Sequence, residues 1–283
     1  MPCLEREEYI EQAYFFRVFR ERIAENVPAQ EILSSVHEEI LATTRLPMAV
    51  EFLKGEVLLN GRLSEGMRRL SHYFTPFQAF VISRAEEDRS KFDQKIALEV
   101  LQNEAEYRSG TPTSPGLFIY QFESISRNRL GYDKGMTAMA GDPQYDPAWS
   151  EWILKTRLKL GEVEFNELLY FASEQWQIDR RRQLQQPDFQ ATQSLLFGAK
   201  EGRIAAANRG RDPLYMFAAL QRQLGYPKVP RSVALQGPEK QIPEMLAKMT
   251  QMEKRLQLVE SELKDRFDLS SYYVKPTELP PDV

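Results

Sequence analysis

The clearest binding chemistry in the chain is an arginine-rich turn. Asn208-Arg209-Gly210-Arg211-Asp212-Pro213 precedes an apolar helical pattern, and Arg203 lies a short step upstream. The segment 197–232 holds seven Lys+Arg against two Asp+Glu, in a protein of net charge −4. Guanidinium groups beside the unsatisfied N–H groups of a helix start can hold a phosphate or an acidic side chain. Arg203, Arg209 and Arg211 are therefore candidate contacts for an anion or an acidic partner. The plainer expectation is that Arg209 and Arg211 pair with the acidic region 1–110 of the same molecule, which carries 14 Lys+Arg against 19 Asp+Glu.

Other chemistry-bearing patterns fail on inspection. Gly61-Arg62-Leu63-Ser64-Glu65-Gly66-Met67 has the two-glycine spacing of a phosphate loop, but Met67 stands where the lysine is required and no strand pattern precedes it. His37-Glu38 opens like a zinc-protease helix, yet position 41 is Leu41. His72 is the only other histidine, and nothing specifies a metal site. Cys3 is the sole cysteine, so one chain can form neither an internal disulfide nor a thiolate cage. No serine occupies a Gly-x-Ser-x-Gly elbow. We expect no cofactor, no metal and no enzymatic activity. An enzyme or phospholigand-binding protein built on Arg209 and Arg211 is the alternative. The triplet Arg180-Arg181-Arg182 reads as solvated surface, and the modest basic excess argues against nucleic acid.

The elements that must position these residues read as helices throughout, an all-α fold without strand-like alternation. Helices are expected over 5–26, from Pro28 to about Thr44, and from Pro47 to a stop at Asn60-Gly61. Short ones follow, with Ser64 as a cap and Thr75-Pro76 as a start, then one over about 90–108. Ser109 to Gly116, dense in proline and glycine, marks the sharpest break. Beyond it we expect helices at 117–130, 133–140, 147–160, 163–180, 198–208 and 213–224. Residues 226–238 read as a linker. No stretch without a charge is longer than Ser109 to Phe122, which is too short to span a bilayer, a span that takes about 20 residues. The reading is a cytoplasmic protein without membrane insertion.

The C-terminal stretch 239–267 has the most regular pattern. Ile242, Met245, Met249, Met252, Leu256, Val259 and Leu263 recur in steps of three and four, a heptad seam that fits a self-associating coiled-coil helix. Residues 268–283 are expected to be a flexible tail.

One family resemblance covers about residues 8–107. Gly61, Leu63-Ser64, Gly66-Met67, Phe74, Pro76 and Val81, then Glu87, Phe92-Asp93, Ile96 and Leu98, resemble the cytoplasmic helical domain of the type II secretion system F family. Upstream, Phe16, Arg20, Ile23, Asn26, Pro28 and Ile32 resemble that family's opening helix and its Gly-x-Pro turn, with Asn26 in place of the glycine. The second helix-opening turn of the family appears as Glu86-Glu87-Asp88-Arg89-Ser90, without its glycines, and the family's membrane helix is replaced by the Pro/Gly break. The resemblance implies an N-terminal helical bundle over 1–108. It also raises a degenerate second copy within 117–225, where Phe122 overlays Phe16 and Gly161 overlays Gly61. Together with the heptad seam, the resemblance leads us to expect a non-enzymatic interaction or scaffold module, a homodimer serving a type II secretion or type IV pilus-like assembly.

Overall fold

Proline, glycine and capping side chains set the rhythm of this chain, and the helices follow it. The computed structural model describes residues 3–40, 43–87 and 92–231, which contain thirteen α-helices and no strand. The first six are α1 (Arg6–Ala24), α2 (Ala29–Glu39), α3 (Leu46–Asn60), α4 (Leu63–Arg69), α5 (Pro76–Ala85) and α6 (Gln94–Ser109). The other seven are α7 (Ser114–Asn128), α8 (Tyr132–Ala140), α9 (Pro147–Lys159), α10 (Phe165–Phe171), α11 (Glu174–Leu184), α12 (Ala199–Ala207) and α13 (Pro213–Leu224). The fold is all-α.

Local signals account for most of these boundaries. Asn26 takes the left-handed conformation with φ 63°, which asparagine tolerates better than most residues, so α1 stops there without a glycine. Gly61 and Gly225 do the same after α3 and α13. Thr75 and Gln78 form a reciprocal capping box at α5, and Asp146 and Asp212 cap α9 and α13 in front of prolines. The α5 box is itself tied down: Gln78 Nε2 donates to buried Gln12 of α1 at 3.1 Å, and Gln12 donates to the Tyr73 carbonyl at 3.3 Å.

Four expectations need correction, each for a tertiary reason. Ser64 is the second residue of α4 and caps nothing; the Glu86 carboxylate from the end of α5 accepts from the N–H groups of Leu63 (2.6 Å) and Ser64 (3.2 Å) instead. The single helix expected over 163–180 is broken at Ala172-Ser173. There the Ala172 carbonyl accepts from Leu196 and Phe197, and Ser173 restarts the helix by capping Trp176. The break at 109–116 is a turn rather than a domain border, because Ser114-Pro115-Gly116 already forms the first turn of α7. Residues 1–232 make one compact unit with a continuous core from Ala13 to Val229. Lastly, the stretch after Gly225 is packed as far as it is described. Tyr226 and Val229 are buried, and the single hydroxyl proton of Tyr226 is shared between Glu123 Oε2 at 2.6 Å and the Phe217 carbonyl at 3.0 Å. Tyr226→Phe is expected to lower unfolding stability by about 1–2 kcal/mol, because a buried carboxylate loses a donor; chemical denaturation measures it, and an unchanged midpoint would refute it.

α1 lies along α6, and α2 and α3 pack on each other and on α1. α5 joins the two halves by packing on both α6 and α8. Gly135 and Gly141 permit that approach, since a Cβ at either would lie 3.2 Å from Phe80 or Pro76 of α5. The second half centres on Phe118 of α7, whose ring is surrounded by those of Phe122, Trp149, Trp152, Phe165 and Phe197 at 5.0–6.2 Å.

Candidate functional site

The basic turn is largely satisfied from within the chain. Arg209 stacks its guanidinium 4.4 Å from the Tyr170 ring centre and places Nε 3.6 Å from Glu167 Oε1. The Gly210 N–H donates to Glu164 Oε2 at 3.3 Å. The acidic partners therefore come from α10 and its cap, not from residues 1–110. Arg211 borders a hollow of about 210 Å³ with Phe165 and Met216, and Arg203 donates to the Ala199 carbonyl of its own helix at 3.4 Å. The turn behaves as a brace between α10 and α13.

His37 lies on α2 and His72 in the turn after α4, on separate elements. Exposed Cys3 sits 3.6 Å from Gln144 Oε1. The heptad residues Ile242, Met245, Met249, Met252, Leu256, Val259 and Leu263 lie outside the described residues.

The strongest polar cluster is closed to solvent. Arg108 of α6 donates to Glu104 Oε1 at 3.0 Å and to both carboxylate oxygens of Asp142, while Gln121 Nε2 donates to Glu104 (2.7 Å) and Asp142 (3.1 Å). Tyr145 completes the cluster by donating to Gln121 Oε1 at 2.8 Å. All five side chains are buried. Burial raises the Glu104 carboxyl pKa against the opposing pull of Arg108, and the Asp142 charge adds to the rise. The cluster joins α6, α7 and the α8–α9 turn, and no substrate reaches it.

One helix, α3, gathers four of the twelve large apolar side chains exposed among the described residues. α3 buries Leu46, Ala49, Val50, Leu53 and Val57, yet its outer side is apolar too. Met48 is 77% exposed, Leu58 61% and Leu59 80%, with Phe52 at 39%. Met48, Phe52, Gly55 and Leu59 fall within an arc of about 60°, at the 100° per residue of an α-helix. Glu51 is the only charge among the outward positions 48, 51, 52, 55, 58 and 59. A Cβ built on Gly55 meets nothing within 4 Å, so the middle of the face is open to a close approach. Apolar side chains clustered on the outer side of a surface helix mark a place where another body packs. The i, i+4, i+7, i+11 spacing of Met48, Phe52, Gly55 and Leu59 is the sequence signal for this face.

Among the described residues no helix is long and apolar enough to cross a membrane. In comparisons with known proteins, the chain matches no family model, no curated protein and no solved structure.

Proposed function

We propose that the protein is a non-enzymatic protein–protein interaction module that self-associates through the outer face of α3. The observation that carries this reading is the exposed apolar stripe Met48, Phe52, Gly55 and Leu59 on a helix that is also apolar inside. A second copy is the partner this surface suits. A stripe centred on a glycine is self-complementary about a two-fold axis, which brings Phe52 of one copy against Leu58 of the other. Two helices so paired run antiparallel, with opposed dipoles. The heptad seam 242–263 supplies a second contact between copies in this reading. The resemblance over residues 8–107 suggests a setting, a scaffold for a type II secretion or type IV pilus-like assembly in the cytoplasm.

The compact unit 1–232 allows the two contacts to be separated. A chain ending at Ser232 is expected to associate reversibly in sedimentation velocity. Phe52→Asp with Leu59→Asp is expected to weaken that association by about 100-fold, as loss of central apolar anchors does. A Ser232-ended chain that stays monomeric at about millimolar concentration, far above ordinary interface affinities, would overturn the α3 reading.

A further inference from the structure

A cleft of about 730 Å³ lies where α4 and α5 face α8 and α9, within the range of small-molecule sites. Its apolar wall is formed by Met67, Phe74, Pro76 and Phe80. Its charged lining consists of five cations and four carboxylates. What matters is how those charges are spent. Glu65 pairs with Arg68 at 2.5 Å, Glu87 with Arg84 at 2.5 Å and Asp133 with Arg157 at 3.5 Å. Glu86 is occupied at the start of α4. Every carboxylate is thus committed, whereas Arg62 and Lys134 have no ion-pair partner among the described residues.

The two arginines on opposite walls are also incompletely satisfied. The Nε atoms of Arg84 (α5) and Arg157 (α9) are shielded from water and have no hydrogen-bond partner among the described residues. An unmatched donor of this kind is unfavourable, and a guanidinium that turns toward an incoming acceptor recovers the lost bond. Glu87 and Thr137 hold only the Nη1 ends of these forks, which leaves the turn open.

We propose that this cleft binds an organic oxyanion, a carboxylate or phosphate carried on an apolar body. The anion meets Arg62, Lys134 and the reoriented forks of Arg84 and Arg157, while the body lies against Phe74, Pro76 and Phe80. The site is separate from α3 and stands whether or not the copies associate.

Calorimetry on the full chain with four probes tests it: benzoate, phenyl phosphate, benzyl alcohol and inorganic phosphate. Benzoate or phenyl phosphate binds one to one, and the tighter of the two identifies the anion class. Benzyl alcohol and inorganic phosphate, each lacking one half of the chemistry, bind at least about tenfold more weakly. Arg62→Ala with Lys134→Ala removes two unpaired surface cations without touching the core, and is expected to weaken the tighter probe at least about fivefold. In arginine-labelled protein, that probe also moves the Nε–H signals of Arg84 and Arg157. No binding of either aromatic anion at about 5 mM, equal binding of inorganic phosphate and phenyl phosphate, or an unchanged affinity in the double variant would each overturn the proposal.

Discussion

Arg108→Met is expected to cost about 3–5 kcal/mol of folding stability, because it strands buried charge that nothing else can neutralise. Glu104 and Asp142 share one guanidinium, and among the described residues the only other donor that reaches both is the neutral Gln121 amide. The pH dependence distinguishes this from simple loss of packing. Burial holds the Glu104 pKa above the usual carboxylate range even with Arg108 opposing it. Over the window between the ordinary and the raised value, the native state keeps a proton that the unfolded chain releases, so stability falls as pH rises. Removing Arg108 raises the native value further and widens that window. The deficit of Arg108→Met should therefore be smaller at about pH 5 than at about pH 8. Adding Glu104→Gln and Asp142→Asn should restore much of the loss at the higher pH. Urea denaturation at the two pH values measures both effects, and a deficit independent of pH would contradict the assignment.

Phe118→Ala should be comparably severe, at about 3–5 kcal/mol, the usual loss for a fully enclosed phenylalanine. Its ring lies 5.0 Å from Trp152, 5.7 Å from Trp149 and 6.1 Å from Phe197, so one truncation opens a cavity bordered by α7, α9 and the segment before α12. Thermal unfolding reads it as a drop of about 10 °C for a unit of this size. The two tryptophans beside the cavity should also change emission in the folded state. A midpoint within about 2 °C of wild type would show that this cluster does not organise the second half.

Punctuation was the legible part of the fold. Asp146-Pro147, Asp212-Pro213, Thr75-Pro76, Gly61 and Gly225 act on their own neighbours, so a linear reading finds them. The interruption at Ala172-Ser173 was not legible, since it depends on Leu196 and Phe197 docking against a carbonyl that a continuous helix would have used. The Glu86 cap was missed for the same reason: the carboxylate that serves Leu63 lies 23 residues away. Arg108 and Asp142, 34 residues apart, had no local mark as partners. Arg209 meets Glu167 of α10 rather than an acid of the N-terminal region, a choice that depends on which elements pack together and leaves no local mark. The α3 face is a local spacing pattern, Met48, Phe52, Gly55 and Leu59, and so is readable without any tertiary knowledge.

Gly55→Cys in a Cys3→Ser background tests the self-association claim most directly. Nothing within 4 Å obstructs a side chain at Gly55, so the substitution leaves the fold alone, and a two-fold contact over α3 sets this position against itself. Mild oxidation of the chain ending at Ser232 should give a disulfide-linked dimer at concentrations where Glu25→Cys in the same background gives none. Equal cross-linking of the two, or none at position 55, would contradict the claim.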